Sequence, residues 1–151
     1  MPTLRATTWD DPVVAELSAA QQAEVRARYD GAGEPGVPPS ARDVAVVLVA
    51  VDDDGAPVGC GALRPLEPGA GEVKRMYVVP AARGRGIARL VLAGLEQEAL
   101  RRGWSTLRLE TGPRQPEAVG LHAGAGYRPG AAFGAYAGLD DGSLFFAREL
   151  A

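Results

Sequence analysis

The sequence predicts an α/β protein: a mixed, largely antiparallel sheet with a central parallel strand-helix-strand unit. Two observations carry this. Between Asp43 and Leu66 two apolar, β-branched runs flank the polar turn DDDG at Asp52 to Gly55, the pattern of an antiparallel hairpin. Between Glu72 and Thr111 the apolar period changes from strand to helix and back, and such a unit pairs its two strands in parallel through a right-handed crossover. The length of 151 residues fits one domain over residues 1–151, able to bury roughly 70 per cent of its unfolded surface.

The elements follow in order. Leu4 to Thr8 reads as a first strand, and Asp10 or Asp11 with Pro12 reads as the N-cap and first turn of a helix reaching about Tyr29. Gly31 to Ser40, GAGEPGVPPS, holds three glycines and three prolines and is a loop too short for an interdomain linker. The hairpin strands are Asp43 to Val51 and Pro57 to Leu66, with a further turn at Glu67 to Gly71. Val73, Met76, Val78 and Val79 give a short strand that stops at Pro80, which has no N–H for a ladder. Ile87, Leu90, Val91, Leu95 and Ala99 form one buried face of a helix from Gly84 to Arg102, with Gly103 just past its end. Thr106 to Thr111 is the next strand, residues 115–124 a short helix, and Ser143 to Leu150 a final strand.

Composition narrows the class. The formal charge is −3 and the basic residues gather around the loop and helix after Glu72, so nucleic acid is not expected as a partner. No apolar run approaches ~18 residues and MPTLRATTWDD lacks a leader pattern, so no membrane is expected and a cytoplasmic location is. Cys60 is the only cysteine and His122 the only histidine, which excludes an internal disulfide and a Cys/His zinc set; no metal is expected. Between Gly59 and Gly61 in an apolar strand, Cys60 reads as a packing residue. Lysine occurs once, as Lys74, among abundant arginine, a bias that by itself says nothing about activity.

The run from Glu72 to Arg89, EVKRMYVVPAARGRGIAR, joins a strand to a helix through an Arg- and Gly-rich turn. Backbone N–H groups of a first helical turn lack intrahelical partners and sit at the positive end of the helix dipole, which suits phosphate. Gly84 and Gly86 remove the Cβ atoms that would hold a ligand away, and Arg83, Arg85 and Arg89 add charge in a fork geometry. A P-loop is excluded, since Ile87, Ala88 and Arg89 follow Gly86 where Lys and Ser or Thr are needed. A dinucleotide fingerprint is a closer rival, with Glu110 near where a ribose-binding acid falls, but Arg89 occupies its third glycine.

The remaining pattern, Arg or Gln, two residues, Gly, one residue, Gly or Ala, is met by Arg83, Gly86 and Ala88, and here the sequence resembles the GCN5-related N-acetyltransferases. EVKRMYVVP looks like that family's fourth strand, and LRLETGPRQPEAVGLHAGAGY like its fifth strand, following helix and closing pair, here Gly126 and Tyr127. The tail FGAYAGLDDGSLFFAREL is like that of small-molecule or uncharacterised bacterial members. The resemblance implies an acyl-CoA N-acyltransferase fold and acetyl-CoA as cosubstrate. Its pyrophosphate would lie on Arg83, Gly84, Arg85, Gly86, Ile87, Ala88 and Arg89, and its acetyl and pantetheine parts on the backbone of Met76, Val78 and Val79. The acceptor is expected to be a primary amine of a small molecule, and a homodimer is compatible with the pattern.

Acyl transfer to an amine needs a deprotonated amine, a polarised carbonyl and a proton for the thiolate. The resemblance places Glu72 where some members hold a general base, and the even spacing to Met76 in a strand predicts that both side chains share a face. Polarisation would come from a backbone N–H near Val78. His122 stands four residues before Gly126, where the family commonly has a tyrosine acid, and either donates to the sulfur, acts as an acid beside a carboxylate, or has no catalytic part; Tyr127 and Tyr136 are substitutes. Gln115 occupies the place of an asparagine that contacts pantetheine. Glu110 reads as a second acid or base or as a turn acceptor. Asp10 to Ser40 and Phe133 to Asp141 would shape the acceptor pocket. A non-catalytic acyl-CoA-binding module is the alternative that the His122 substitution keeps open.

Overall fold

The computed structural model describes residues 1–32, 35–139 and 141–150. Seven strands form one sheet: β1 (Thr3–Thr7), β2 (Val46–Val51), β3 (Pro57–Pro65), β4 (Ala70–Val78), β5 (Thr106–Thr111), β6 (Arg128–Pro129) and β7 (Leu144–Glu149), in the spatial order β1-β2-β3-β4-β5-β7-β6. Every pair is antiparallel except β4 with β5. Helix α1 (Pro12–Arg28) covers one face, and α2 (Ile87–Arg101) with α3 (Pro116–Gly124) covers the other.

The boundaries follow from local chemistry. Asp11 caps α1 by accepting from Val13 N, with Pro12 in the first turn. Helix α2 begins at Ile87 instead of Gly84, because Gly84 and Gly86 adopt φ of 81° and 79°, a left-handed conformation outside the helix. Its apolar stripe corrects the expected one at a single position: Ile87, Val91, Leu95 and Ala99 are buried as expected, but Leu90 is exposed and Leu92 takes its place, with Val91, Leu92, Leu95 and Ala99 packed in the core that holds Leu48, Leu63, Leu107 and Leu109. Each large side chain there contributes about 1.5–3 kcal/mol through apolar burial. On the opposite face Val14 and Leu17 of α1 pack on Val47, Val49, Cys60 and Ala62.

Burial pushes the Cys60 thiol up to about 12. The thiolate is the reactive form. A disulfide reagent such as Ellman's should therefore titrate no thiol in the folded protein and one per chain in urea; a fast native reaction would show that this face opens.

One irregularity positions the site. The β3–β4 register passes from Cys60↔Tyr77 to Ala62↔Lys74, so Arg75 and Met76 together oppose the single Gly61. This is a β-bulge, with Arg75 at φ 55°. A Cβ on Gly61 would stand 2.8 Å from Met76 Sδ and 2.9 Å from side-chain atoms of Leu95 and Val91, so the small residue makes room for Met76 beneath α2.

Candidate active site

The Arg- and Gly-rich loop joins β4 to α2. After β4 the chain makes a short 3-10 turn at Pro80–Ala82, extends through Arg83, and passes the two left-handed glycines into α2. No side chain caps Gly86, and Leu90 N donates to Gly86 O, so the N–H groups of Ile87, Ala88 and Arg89 precede the first helical donor. A Cβ on Gly84 or Gly86 would meet nothing within 4 Å; their faces look onto open space. Two arginines brace the loop. Arg83 donates to Val78 O at 2.9 Å and to Glu24 at 2.6 Å, and Arg85 forms a two-bond pair with Asp52 at 2.8 and 2.9 Å. The Arg85 guanidinium holds the Asp52 carboxyl down at about 2. Arg89 is exposed, in the first turn of the helix.

Beside this loop the sheet divides. β4 and β5 pair only from Ala70↔Thr106 to Val73↔Leu109, after which they part. The gap is a cleft of about 190 Å³ whose walls include Lys74, Met76, Glu110, Gln115 and His122, with Tyr29 across its mouth. The bulge sets which side chains face which way. Met76 and Val78 pack toward α2, whereas Glu72 and Lys74 lie on the α1 face, level with Arg64 and Ala62. The expectation that Glu72 and Met76 share a face is corrected here, since one extra residue between them reverses the alternation.

Glu72 is 1% exposed and enclosed by donors. Arg64 gives Nε and NH2 to Oε1 at 3.0 and 2.9 Å, and the Tyr136 hydroxyl donates to Oε2 at 2.5 Å. Lys74 Nζ donates to the same hydroxyl at 2.9 Å and lies 4.0 Å from Glu72 Oε2. Burial, then the charge of Glu72, pushes the Tyr136 phenol up, so it stays protonated and keeps donating. Tyr136 arrives on a three-residue 3-10 turn, and its ring packs edge-on against Phe133 and Phe145.

His122 is 5% exposed on α3, edge-on to Tyr127 with ring centroids 5.7 Å apart. Burial pushes its pKa down to about 4, and its Nδ1 is buried without a hydrogen-bond partner among the described residues. At neutral pH it is an uncharged ring beside the cleft. Tyr127 donates to Glu96 instead of reaching the site. Gln115 turns its carbonyl oxygen to Gly112 N at 3.3 Å, with the Tyr29 hydroxyl at 3.4 Å. Tyr29 also accepts from Arg114 N at 3.0 Å, tying the end of α1 to the β5–α3 loop. Sequence reasoning missed Arg64 as the partner of Glu72 and Tyr136 as the link to Lys74; both contacts span strands and carry no local signal.

A glycine-rich, uncapped helix start following a strand that parts from its parallel neighbour suits an anionic, phosphate-bearing ligand. The acetyltransferase (GNAT) family model matches residues 6–127. A solved structure from Klebsiella pneumoniae assigned to the acyl-CoA N-acyltransferases is 35% identical and superposes with a TM-score of 0.82, covering 99% of this chain and 98% of that one. An IAA acetyltransferase of Azospirillum brasilense is 45% identical over 97 residues, 64% of this chain and 63% of that protein. A GNAT acetyltransferase from Elizabethkingia anophelis with acetyl-CoA bound shares the fold at 16% identity and a TM-score of 0.72, covering 98% of this chain and 97% of that one. The chain belongs to the GNAT acetyltransferase family, whose cosubstrate is acetyl-CoA. It spans about half to three fifths of the length of the curated relatives it matches (63%, 52% and 62%).

Proposed function

We propose that the chain moves the acetyl group of acetyl-CoA to a primary amine of a small molecule. The observation that carries this is the uncapped, glycine-lined N-terminus of α2, which follows directly on β4, the strand that parts from β5 after Val73. The residues present fit acetyl-CoA: the glycine faces are open, the first-turn N–H groups lack helical partners, and the buried His122 Nδ1 has no partner among the described residues. In this reading the backbone from Gly84 to Arg89 takes the pyrophosphate, with Arg83 and Arg85 bracing the loop, and the backbone of Met76, Val78 and Val79 with the Gln115 amide lines the pantetheine path. The bound thioester supplies the activated acetyl carbon.

In the transfer a nitrogen–carbon bond forms, the carbon–sulfur bond breaks with its electron pair left on sulfur, and the amine's proton ends on that sulfur. A Val78 N–H polarises the carbonyl. His122 acts as a neutral ring that hydrogen-bonds the sulfur, its low pKa ruling out a standing imidazolium at neutral pH. Glu72, sealed by Arg64 and Tyr136, serves as the buried anchor of the α1-side wall in place of a base at the amine. A cytoplasmic location belongs to the same proposal, supported by the use of acetyl-CoA; no helix among the described residues is long and apolar enough to cross a membrane.

Thiol release from acetyl-CoA across an amine panel, beside calorimetry of acetyl-CoA binding, tests this reading. Binding without release from any amine would overturn the transfer. The cradle has its own test. Valine at position 86 brings left-handed strain of roughly 1–3 kcal/mol, so Gly86→Val should deform the loop and weaken acetyl-CoA binding about tenfold or more, with the circular dichroism of the helices kept. An unchanged dissociation constant would remove the loop from the binding site.

A further inference from the structure

The closing pair Gly126 and Tyr127 stands beside His122, and its geometry is built around a carboxylate outside the cleft. Gly126 adopts φ 93°, and a Cβ there would come within 3.4 Å of Arg148 Nε, so the bare backbone lets the Arg148 side chain lie across it. The turn folds the chain back onto α3: Tyr127 N donates to His122 O at 3.0 Å, and the Tyr127 ring meets the imidazole edge-on. Tyr127 is 3% exposed. Its hydroxyl donates to Glu96 Oε2 at 2.9 Å, and Arg148 donates to the same oxygen at 2.8 Å. Burial, then the charge of Glu96, pushes the Tyr127 phenol up, so it stays protonated and keeps donating.

His122 has little else to fix its ring. Its Nδ1 makes no hydrogen bond among the described residues, and Tyr127 is its one ring contact there. A side chain held by packing alone hops between rotamers unless its neighbours are rigid. Here the rigidity comes from behind the cleft wall. Glu96 belongs to α2, the helix whose start takes the pyrophosphate in the proposed reading, and Arg148 to β7. The run of contacts from Arg148 through Glu96 and Tyr127 to His122 therefore ties two core elements to the side chain that α3 presents to the cleft.

We propose that Glu96 and Tyr127 are positioning residues that hold the His122 ring in the pose in which it meets the donor's sulfur. The inference rests on the reading of His122 as the hydrogen-bond partner of that sulfur. Glu96 and Tyr127 touch neither substrate nor sulfur, and neither gives up or takes a proton. They keep an uncharged ring from turning or withdrawing, so that every sulfur meets it in one geometry.

His122 is the only histidine, so its ring gives a single carbon–proton resonance that serves as the probe. In Tyr127→Phe, which keeps the ring and loses the hydroxyl, and in Glu96→Ala, that resonance should shift, and its titration midpoint should climb from about 4 toward the ordinary value near 6.5 as the packing around it loosens. The other titratable side chains of the cleft, Tyr29, Lys74, Arg75, Glu110 and Asp141, are the same in every variant. Glu96→Gln keeps an acceptor for the hydroxyl and should hold the resonance near its wild-type place. With the panel amine that the wild type turns over fastest, Tyr127→Phe should lower kcat about three- to tenfold with the acetyl-CoA KM unchanged, and the same change made in His122→Phe should cost nothing further. A wild-type resonance and midpoint in both Tyr127→Phe and Glu96→Ala overturn the proposal, and so does an equal loss of kcat in the His122→Phe background. Should Glu96→Ala fail to fold, Tyr127→Phe decides alone. His122→Phe at the wild-type rate, or no release from any amine with acetyl-CoA bound, overturns the reading of the site and this inference with it, whatever the resonance shows.

Discussion

Arg64→Leu is expected to destabilise the protein by about 3–5 kcal/mol, because it strips a buried carboxylate of its main counter-ion. The Arg64 side chain is 9% exposed and that of Glu72 1%, and both guanidinium bonds fall on one carboxylate oxygen. Tyr136 still donates to the other oxygen and Lys74 remains 4.0 Å away, which moves the expectation toward the lower end of that range. The pair as a whole is a different matter. Two charges taken out of water recover little more than their desolvation, so Arg64→Leu combined with Glu72→Leu should regain most of the loss. Urea unfolding of the two singles and the double closes the cycle. A single-variant loss under about 1 kcal/mol would mean that water reaches Glu72 and that it is not sealed.

The second large effect is in pH. A histidine in the unfolded chain titrates near 6.5, while burial holds His122 down to about 4 in the fold. Between these values the unfolded chain binds more protons than the folded one, so stability rises with pH. The contribution is fully present above about 6.5 and is lost as pH falls toward about 4. A difference of that size amounts to roughly 3 kcal/mol. Carboxylates titrate in the same window, so the measurement is the difference between wild type and His122→Phe, whose ring keeps the contact with Tyr127 without the proton. The variant's stability should fall by about 3 kcal/mol less than the wild type's over that window. Coincident profiles would show that His122 charges freely in the fold.

The loop was legible in the sequence because its information is local. Glycine at 84 and 86 signals left-handed backbone, and the apolar spacing from Ile87 to Ala99 signals the face that α2 buries. The parallel unit followed from the change of period alone. What sequence reasoning could not supply is long-range. The bulge that separates Glu72 from Met76 depends on Gly61 lying opposite, on another strand, so counting residues along β4 gave the wrong face. Residues Arg128–Pro129 pair with β7 over a stretch too short for any period to show. The 3-10 turn carrying Tyr136 is equally short, and its partner Glu72 is 64 positions away. His122 could be placed on its helix, but its charge state is set by how deeply α3 packs.

The bulge at Arg75 and Met76 has one more consequence. By sending Lys74 to one side and Met76 to the other, it gives the sheet a different set of walls on each side of the place where β4 and β5 part. A molecule that enters there meets side chains of both faces at once, which an unbroken sheet would keep apart.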